Sequence, residues 1–231
     1  MNAAGFFITG TDTGVGKTLV SAALIRLFAQ RGFKVAGMKP VASGAFRDGE
    51  DWRNEDVETL RAQANVELPI ATINPYLMKE ATAPHIAAQT EGIHIDLEHI
   101  ECCYREIRHV ADVVVVEGAG GFVVPLNASA NSDDLAARLG LPVILVVGIR
   151  LGCINHALLT RQAIAGKGLR LAGWVANAID PQESQASSMI ASLQQRIDAP
   201  MLGSLPWRDG MDAAKASGLL DLAALQSSGL N

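Results

Sequence analysis

Uninterrupted apolar runs alternate with amphipathic stretches along most of the chain. Four runs contain no regular polar alternation, which is typical of strands covered on both faces of a parallel sheet. They lie at 6–9, 35–39, 112–117 and 142–148, and further strand candidates follow at 171–177 and 201–205. Helical patterns separate them at 19–30, 55–64, 97–109, 133–139, 157–165 and 184–196. This order predicts one α/β domain, residues 1–231, built on a doubly wound, mostly parallel sheet.

Two segments stand apart from this alternation. Residues 42–53 are polar and contain Gly, Asp and Arg, so we expect a loop that is able to close over a ligand. The tail at 219–225 is predicted to form a short packing helix. Because ligands of doubly wound sheets collect beyond the carboxyl ends of the strands, functional residues are expected directly after each strand.

The segment after the first strand, residues 10–18, has the composition of a phosphate-binding loop and reads GTDTGVGKT. Gly14 and Gly16 let backbone N–H groups approach an anion at the positive end of a helix dipole. Lys17 can place its charge against β/γ-phosphates, and the Thr18 hydroxyl is placed to ligate Mg²⁺. The outer glycines are separated by five residues instead of the usual four, so a plain strand-to-helix turn remains the alternative.

Composition and charge limit the classes of ligand and the cellular location that we expect for this chain. Hydrophobic residues make up 49% of the chain, enough for a buried sheet, and the net charge of −5 with a pI near 5.5 argues against a nucleic-acid surface. We find neither a basic leader nor an uninterrupted apolar stretch of about 18 residues, and we therefore expect a soluble, cytoplasmic protein without a membrane segment. Cys102, Cys103 and Cys153 are odd in number and lack CxxC spacing, so neither a disulfide framework nor a zinc site is predicted.

Charged residues follow the second and third strands. Lys39 ends a buried strand, where a lysine is costly unless it faces a cleft or an anion, and Pro40 keeps the chain extended towards Ser43. Glu117 ends the next strand and is positioned to complete Mg²⁺ coordination beside the phosphate loop. A snorkelling surface lysine and a structural lysine–Glu117 pair are the alternatives. Asp56 is a weaker candidate, since most acids at a helix start only favour its dipole.

Later strand ends are less informative. Asn155 is a plausible helix N-cap whose neighbouring free amides could bind a carboxylate, and His156 is more often structural than catalytic. Asn177 ends a strand and can present a donor and an acceptor to a nucleobase edge, or simply form a turn. Ser43 has no evident His/Asp partner for a nucleophilic triad.

Taken together, these motifs resemble the dethiobiotin synthetase family, in which an ATP-dependent carboxylase closes the ureido ring in biotin synthesis. The resemblance extends through most of the chain, with the motifs in family order. It rests on residues 10–18, KPVASG at 39–44, NPY at 74–76, PH at 84–85, EGAGG at 117–121, GCINH at 152–156 and GWVAN at 173–177. The implied fold is P-loop NTPase-like.

The resemblance also implies roles for individual residues. The residues implied for ATP are Gly14, Val15, Gly16, Lys17, Thr18, Leu19, Asp56, Glu117, Gly118, Ala119, Gly120, Asn177, Ala178, Pro206, Trp207 and Arg208. Thr18, Asp56 and Glu117 would position Mg²⁺. The implied catalytic residues are Thr13, Lys17 and Lys39. The implied substrate contacts are Thr13, Lys39, Ser43, Gly152 and Asn155.

The implied reaction converts 7,8-diaminononanoate, CO₂ and ATP into dethiobiotin, ADP and phosphate through a carbamate and a carbamic–phosphoric anhydride. The family also implies a homodimer that holds the substrate's carboxylate tail at the subunit interface. Two departures from the family pattern are Gly14, where relatives can have an acidic side chain, and the absence of an aromatic residue at 181–188.

Two other classes share a similar phosphate loop. A partner-switching ATPase of the ParA/MinD type is the main alternative, although Asp12 and Thr13 stand where its Lys-Gly signature would begin. A cobyrinate amide-synthetase type would need a further glutamine-hydrolysing domain, for which 231 residues leave no room.

Overall fold

The computed structural model describes residues 4–226, whose centre is a six-stranded parallel sheet. Its strands, in chain order, are β1 (Ala4–Gly10), β2 (Val35–Met38), β7 (Val113–Glu117), β8 (Val143–Ile149), β9 (Leu171–Ala178) and β10 (Met201–Leu205). They lie in the order β10-β9-β8-β1-β7-β2. The short strands β3 (Val41–Ala42) and β6 (Tyr76–Leu77) pair in parallel, and β4 (Phe46–Asp48) and β5 (Asp51–Arg53) form an antiparallel hairpin. The predicted α/β fold with a parallel sheet is confirmed.

Ten helices connect the described strands or follow them. They are α1 (Lys17–Gln30), α2 (Glu55–Gln63), α3 (Ile70–Ile73), α4 (Pro84–Thr90), α5 (Leu97–Val110), α6 (Ser132–Leu139), α7 (Cys153–Gly166), α8 (Ala186–Gln194), α9 (Ala213–Ser217) and α10 (Ala223–Gln226). The short tail helix predicted at 219–225 is confirmed only from Ala223 onwards. Leu220 forms an isolated bridge with Gly203, and the chain becomes helical only at Ala223. Among the described residues, no helix is both long and apolar enough to cross a membrane.

The core has two layers because successive strand residues point to opposite faces of the sheet. Phe6 and Ile8 belong to the cluster under α1, where Leu24 and Phe28 are also buried. Phe7 belongs to the cluster under α5 and α6 on the other face. Both faces of β1 are therefore covered, and the phosphate loop begins at the carboxyl end of this central strand.

The polar segment at 42–53 is partly ordered as the β4–β5 hairpin. Trp52 lies against two cations, with the Arg47 guanidinium carbon 5.5 Å and the Lys79 Nζ 5.0 Å from the ring centroid. Directly after the hairpin, the Asn54 side chain accepts hydrogen bonds from the backbone N–H groups of Asp56 and Val57 and caps α2. This cap fixes Asp56 in the first turn of α2, beside the carboxyl ends of the central strands.

Candidate functional site

The loop between β1 and α1 has a backbone that only glycine adopts easily at two points. Gly14 and Gly16 have φ angles of 73° and 88°, in the left-handed region. At Gly16, a Cβ atom would lie 2.2 Å from the Asn177 side-chain nitrogen, so a larger residue would clash there. That nitrogen donates to the Val15 carbonyl at 2.9 Å. The loop is thus held against the end of β9 as well as the start of α1.

Lys17 lies at the floor of this loop and is almost fully buried. Its Nζ donates to the Asp12 carbonyl at 3.0 Å. Burial, followed by repulsion from Lys39, lowers its pKa to about 8, although Glu117 and Asp56 act in the opposite direction. The charged form of Lys17 is therefore disfavoured in this structure, and an anion bound beside it would stabilise that charge.

Lys39 forms the centre of a buried ionic cluster. Its Nζ lies 2.6 Å from Glu117 Oε1 and 2.9 Å from Asp56 Oδ2. The Thr18 hydroxyl lies 2.7 Å from Asp56 Oδ1 and 2.9 Å from Glu117 Oε1. The Asn74 side chain donates to the Lys39 carbonyl at 2.6 Å, which fixes the backbone at the end of β2. The structure thus realises the lysine–Glu117 pair that the sequence left as an alternative, and it places this pair beside the phosphate loop.

The cluster shifts the acid–base behaviour of its members. Desolvation disfavours the charged form of Lys39, but the adjacent Glu117 and Asp56 carboxylates outweigh it and raise the pKa of this lysine above its usual value. Desolvation likewise opposes the charged form of Asp56, while Lys39 and the Thr18 hydroxyl hold its pKa below the usual value. The lysine and Asp56 are therefore both charged at neutral pH.

The same cluster offers ligands for a divalent cation. Glu117 Oε2 is buried without a hydrogen-bond partner, and the Thr18 hydroxyl lies 2.9 Å from Glu117 Oε1 and 2.7 Å from Asp56 Oδ1. Among residues 4–226 no group of three or more His, Cys, Asp or Glu could hold a metal. Magnesium is commonly bound through one or two carboxylates together with phosphate oxygens, so these three residues fit Mg²⁺ delivered with a nucleotide.

A cavity of about 840 Å³ opens above the cluster. Its wall includes most of the predicted central residues: Thr13, Gly14, Gly16, Lys17, Thr18, Lys39, Ser43, Asp56, Glu117, Ala119 and Gly120. Ser43 donates its hydroxyl to the Thr82 carbonyl at 2.9 Å, which ties one wall to the segment before α4. The cavity thus joins the predicted phosphate-binding groups and polar hydroxyls in one space.

Other predicted site residues lie outside this cavity wall. Asn177 and Ala178 end β9, and residues 206–208 follow the neighbouring strand β10. Trp207 is 49% exposed. These residues share one edge of the sheet with the phosphate loop, and their contact with a nucleobase stays a prediction. Val15 lies within the loop and Leu19 lies in the first turn of α1, and neither lines the cavity. Gly118, which follows Glu117, does not line it either.

The predicted N-cap at Asn155 is wrong. The cap of α7 is Gly152, whose φ of 92° is accessible because it has no side chain. Asn155 is the third residue of the helix and is exposed. The first-turn amides of α7 lie next to Gly152 and Asn155, and the contact of these two residues with a carboxylate stays a prediction.

Sequence reasoning assigned no site role to several residues that shape the site. Residues 81–84 and Val124 line the cavity, and Asn54 and Asn74 position Asp56 and Lys39. An asparagine just before the acidic segment at 55–58 is a helix-start signal that could have placed Asp56 in a first turn. Arg150 contacts Asp12 across the loop, and no sequence signal indicated this ion pair.

Comparisons with known proteins agree with this geometry. A family model described as an AAA domain matches residues 4–215. A relative named ATP-dependent dethiobiotin synthetase BioD, from Janthinobacterium sp. (strain Marseille), is 49% identical over 223 residues, covering 95% of this chain and 94% of the relative. A protein of the same name from Nitrosospira multiformis is 51% identical over 221 residues, covering 96% of each chain.

The solved structures that resemble this fold are more distant. The MinC:MinD cell division protein complex of Aquifex aeolicus contains a chain with a TM-score of 0.58 and 16% identity, covering 98% of this chain and 89% of that chain. At this identity the likeness concerns the fold alone.

The lowered pKa of Lys17 predicts that nucleotide binding takes up protons near pH 8. Phosphate charge should raise a pKa of about 8, so at pH 8 about half a proton should be taken up per ADP bound. Calorimetric titration in two buffers of different ionisation enthalpy measures this uptake. Lys17→Arg, which stays protonated, is the control and should abolish it. Identical binding enthalpies for the wild-type protein in both buffers would contradict the prediction.

Proposed function

The chain belongs to the dethiobiotin synthetase family and is a ligase that forms dethiobiotin with ATP in biotin biosynthesis, and we propose that it does so from 7,8-diaminononanoate and CO₂ in the cavity described above. The supporting observation is the convergence of Lys17, Lys39 and two carboxylates at a phosphate loop, in a chain about half identical to named relatives over nearly its full length.

The phosphate chemistry follows from the positions of these groups. The amides of residues 14–18 and the Lys17 ammonium would hold the ATP phosphates at the start of α1. Mg²⁺, held by Thr18, Asp56 and Glu117, would neutralise charge on the β- and γ-phosphates. Lys39 lies at the same carboxylates, and its ammonium would stabilise charge on the transferred phosphoryl group. Catalysis would then depend on positioning and charge, with no protein nucleophile.

The proposed reaction uses only the diamine, CO₂ and ATP as reactants. One amine of the substrate adds to CO₂ and loses a proton to give a carbamate. A carbamate oxygen attacks the γ-phosphorus of ATP, and the bond to the ADP oxygen breaks, giving a carbamic–phosphoric anhydride. The second amine then attacks the carbamoyl carbon and loses a proton, and phosphate leaves as the new C–N bond closes the ring. Thr13 and Ser43, which both line the cavity, would hold the carbamate in line with the γ-phosphate.

The ends of the two substrates would lie outside the central cavity. Asn177, Ala178, Pro206, Trp207 and Arg208 would form the adenine site beside the phosphate loop. The α7 start at Gly152 and Asn155 would take the carboxylate of the substrate tail, close to a partner subunit. A homodimer is part of the same proposal, and Leu151, directly beside Gly152, is 86% exposed. Free thiols at Cys102, Cys103 and Cys153 suit a cytoplasmic enzyme.

The partner-switching ATPase is not favoured. The MinD likeness extends to the fold at 16% identity, whereas the relatives at about half identity are named dethiobiotin synthetases. The loop also has Asp12 and Thr13 where that class begins its Lys-Gly signature.

The direct test is an assay with purified protein, 7,8-diaminononanoate, bicarbonate, Mg²⁺ and ATP. Dethiobiotin should form, as scored by mass, and phosphate release should depend on both the diamine and bicarbonate. A rate of phosphate release that does not depend on the diamine would overturn the proposal. Phosphate release stimulated by DNA or by a protein partner would favour the regulatory ATPase.

Asp56→Asn should raise the Mg²⁺ concentration for half-maximal turnover by about tenfold or more, because one proposed cation ligand loses its charge. A magnesium titration at saturating ATP and diamine measures this shift. Glu55→Gln is the matched control, since Glu55 lies in the same helical turn but is exposed. An unchanged magnesium requirement in Asp56→Asn would exclude Asp56 from the metal site.

A further inference from the structure

Arg150 lies directly after β8 and reaches across to the phosphate loop. Its Nη2 lies 2.6 Å from Asp12 Oδ2. The Arg150 backbone carbonyl accepts a hydrogen bond from the Cys153 N–H at 3.0 Å, at the start of α7. One residue therefore contacts both the phosphate loop and the segment proposed to take the substrate tail.

Asp12 is the point where the loop contacts converge. Its Oδ1 accepts a hydrogen bond from the Thr13 N–H at 2.8 Å, and its carbonyl accepts the Lys17 Nζ at 3.0 Å. Because Arg150 holds the other carboxylate oxygen, it fixes the rotamer through which Asp12 holds the Thr13 backbone. The direction of the Thr13 side chain follows from that backbone position.

The middle of the loop depends on this contact more than its ends do. At one end, the Thr11 N–H donates to the Val146 carbonyl at 3.0 Å, and at the other, Asn177 donates to the Val15 carbonyl. Between these anchors, Gly14 has a left-handed backbone and no side chain to fix it. Thr13 is therefore the proposed substrate contact whose position needs a further anchor.

We propose that Arg150 is a positioning residue that orients Thr13 through Asp12 towards the carbamate. This inference rests on the proposed function and assigns a role to a side chain outside the cavity. The pair is 45% and 46% exposed, so it contributes little to folding stability. Its effect is geometric, because the planar guanidinium fixes a carboxylate in direction as well as in distance.

The test compares Arg150→Ala with Arg138→Ala. Arg138 is a matched control, since its Nε lies 2.6 Å from Glu101 Oε2 and the side chain is 42% exposed, but it joins α6 to α5 away from the loop. Arg150→Ala should lower kcat/KM for the diamine about tenfold, while the Kd for ADP changes less than about twofold. Arg150→Lys should restore part of the lost kcat/KM for the diamine. The double variant Arg150→Ala with Asp12→Asn should have a kcat/KM close to that of Arg150→Ala alone.

Either of two results in the binding and kinetic measurements would overturn the role of Arg150. One is a diamine kcat/KM in Arg150→Ala equal to that of Arg138→Ala. The other is a loss of ADP affinity in Arg150→Ala as large as its loss of kcat/KM for the diamine, which would indicate that the whole loop is disturbed. Amide hydrogen exchange of Thr13 in the nucleotide-free protein is a readout independent of the reaction, and it should be several-fold faster in Arg150→Ala. If wild-type protein forms no dethiobiotin, the proposed function fails, and unchanged Thr13 exchange would separately refute the positioning role.

Discussion

The site depends on the ion pairs that the Lys39 ammonium group makes with Glu117 and Asp56. Glu117 is fully buried and Lys39 nearly so, and a buried charge without a partner is strongly destabilising. The lysine comes from the end of β2, Glu117 from the end of β7 and Asp56 from the first turn of α2. Thr18 adds α1. One ionic cluster thus fixes four elements around the cavity.

The charge balance of this cluster explains how the same residues serve stability and binding. Two carboxylates satisfy Lys39, whereas Lys17 is buried near another cation and has a lowered pKa. A bound polyphosphate would supply negative charge beside the buried Lys17 ammonium, and a divalent cation would bind the carboxylates that now neutralise Lys39. In the proposed function, nucleotide and Mg²⁺ binding would therefore change the partners of both lysines at once and place both ammonium groups near the phosphates.

The sequence predicted the parts of the site that buried strands determine. Unbroken apolar runs located β2 and β7, so Lys39 and Glu117 had to emerge at one edge of the sheet. Asp56 needed the family resemblance, because an acid at a helix start is ordinary, and its position depends on the Asn54 cap. Asn155 was misassigned because glycine caps α7 with a backbone conformation that no side chain signals. The Arg150–Asp12 pair depends on loop geometry that no periodic pattern encodes.

A double-mutant cycle of Lys39→Met and Glu117→Gln, followed by urea unfolding, tests the central interaction most directly. Lys39→Met should lower the free energy of unfolding by about 3–5 kcal/mol, because it leaves a buried carboxylate unpaired. The double variant should cost less than the sum of the single variants, with a coupling of at least about 1 kcal/mol. Single effects that add within about 0.5 kcal/mol would contradict the account, because the two groups would then not depend on each other.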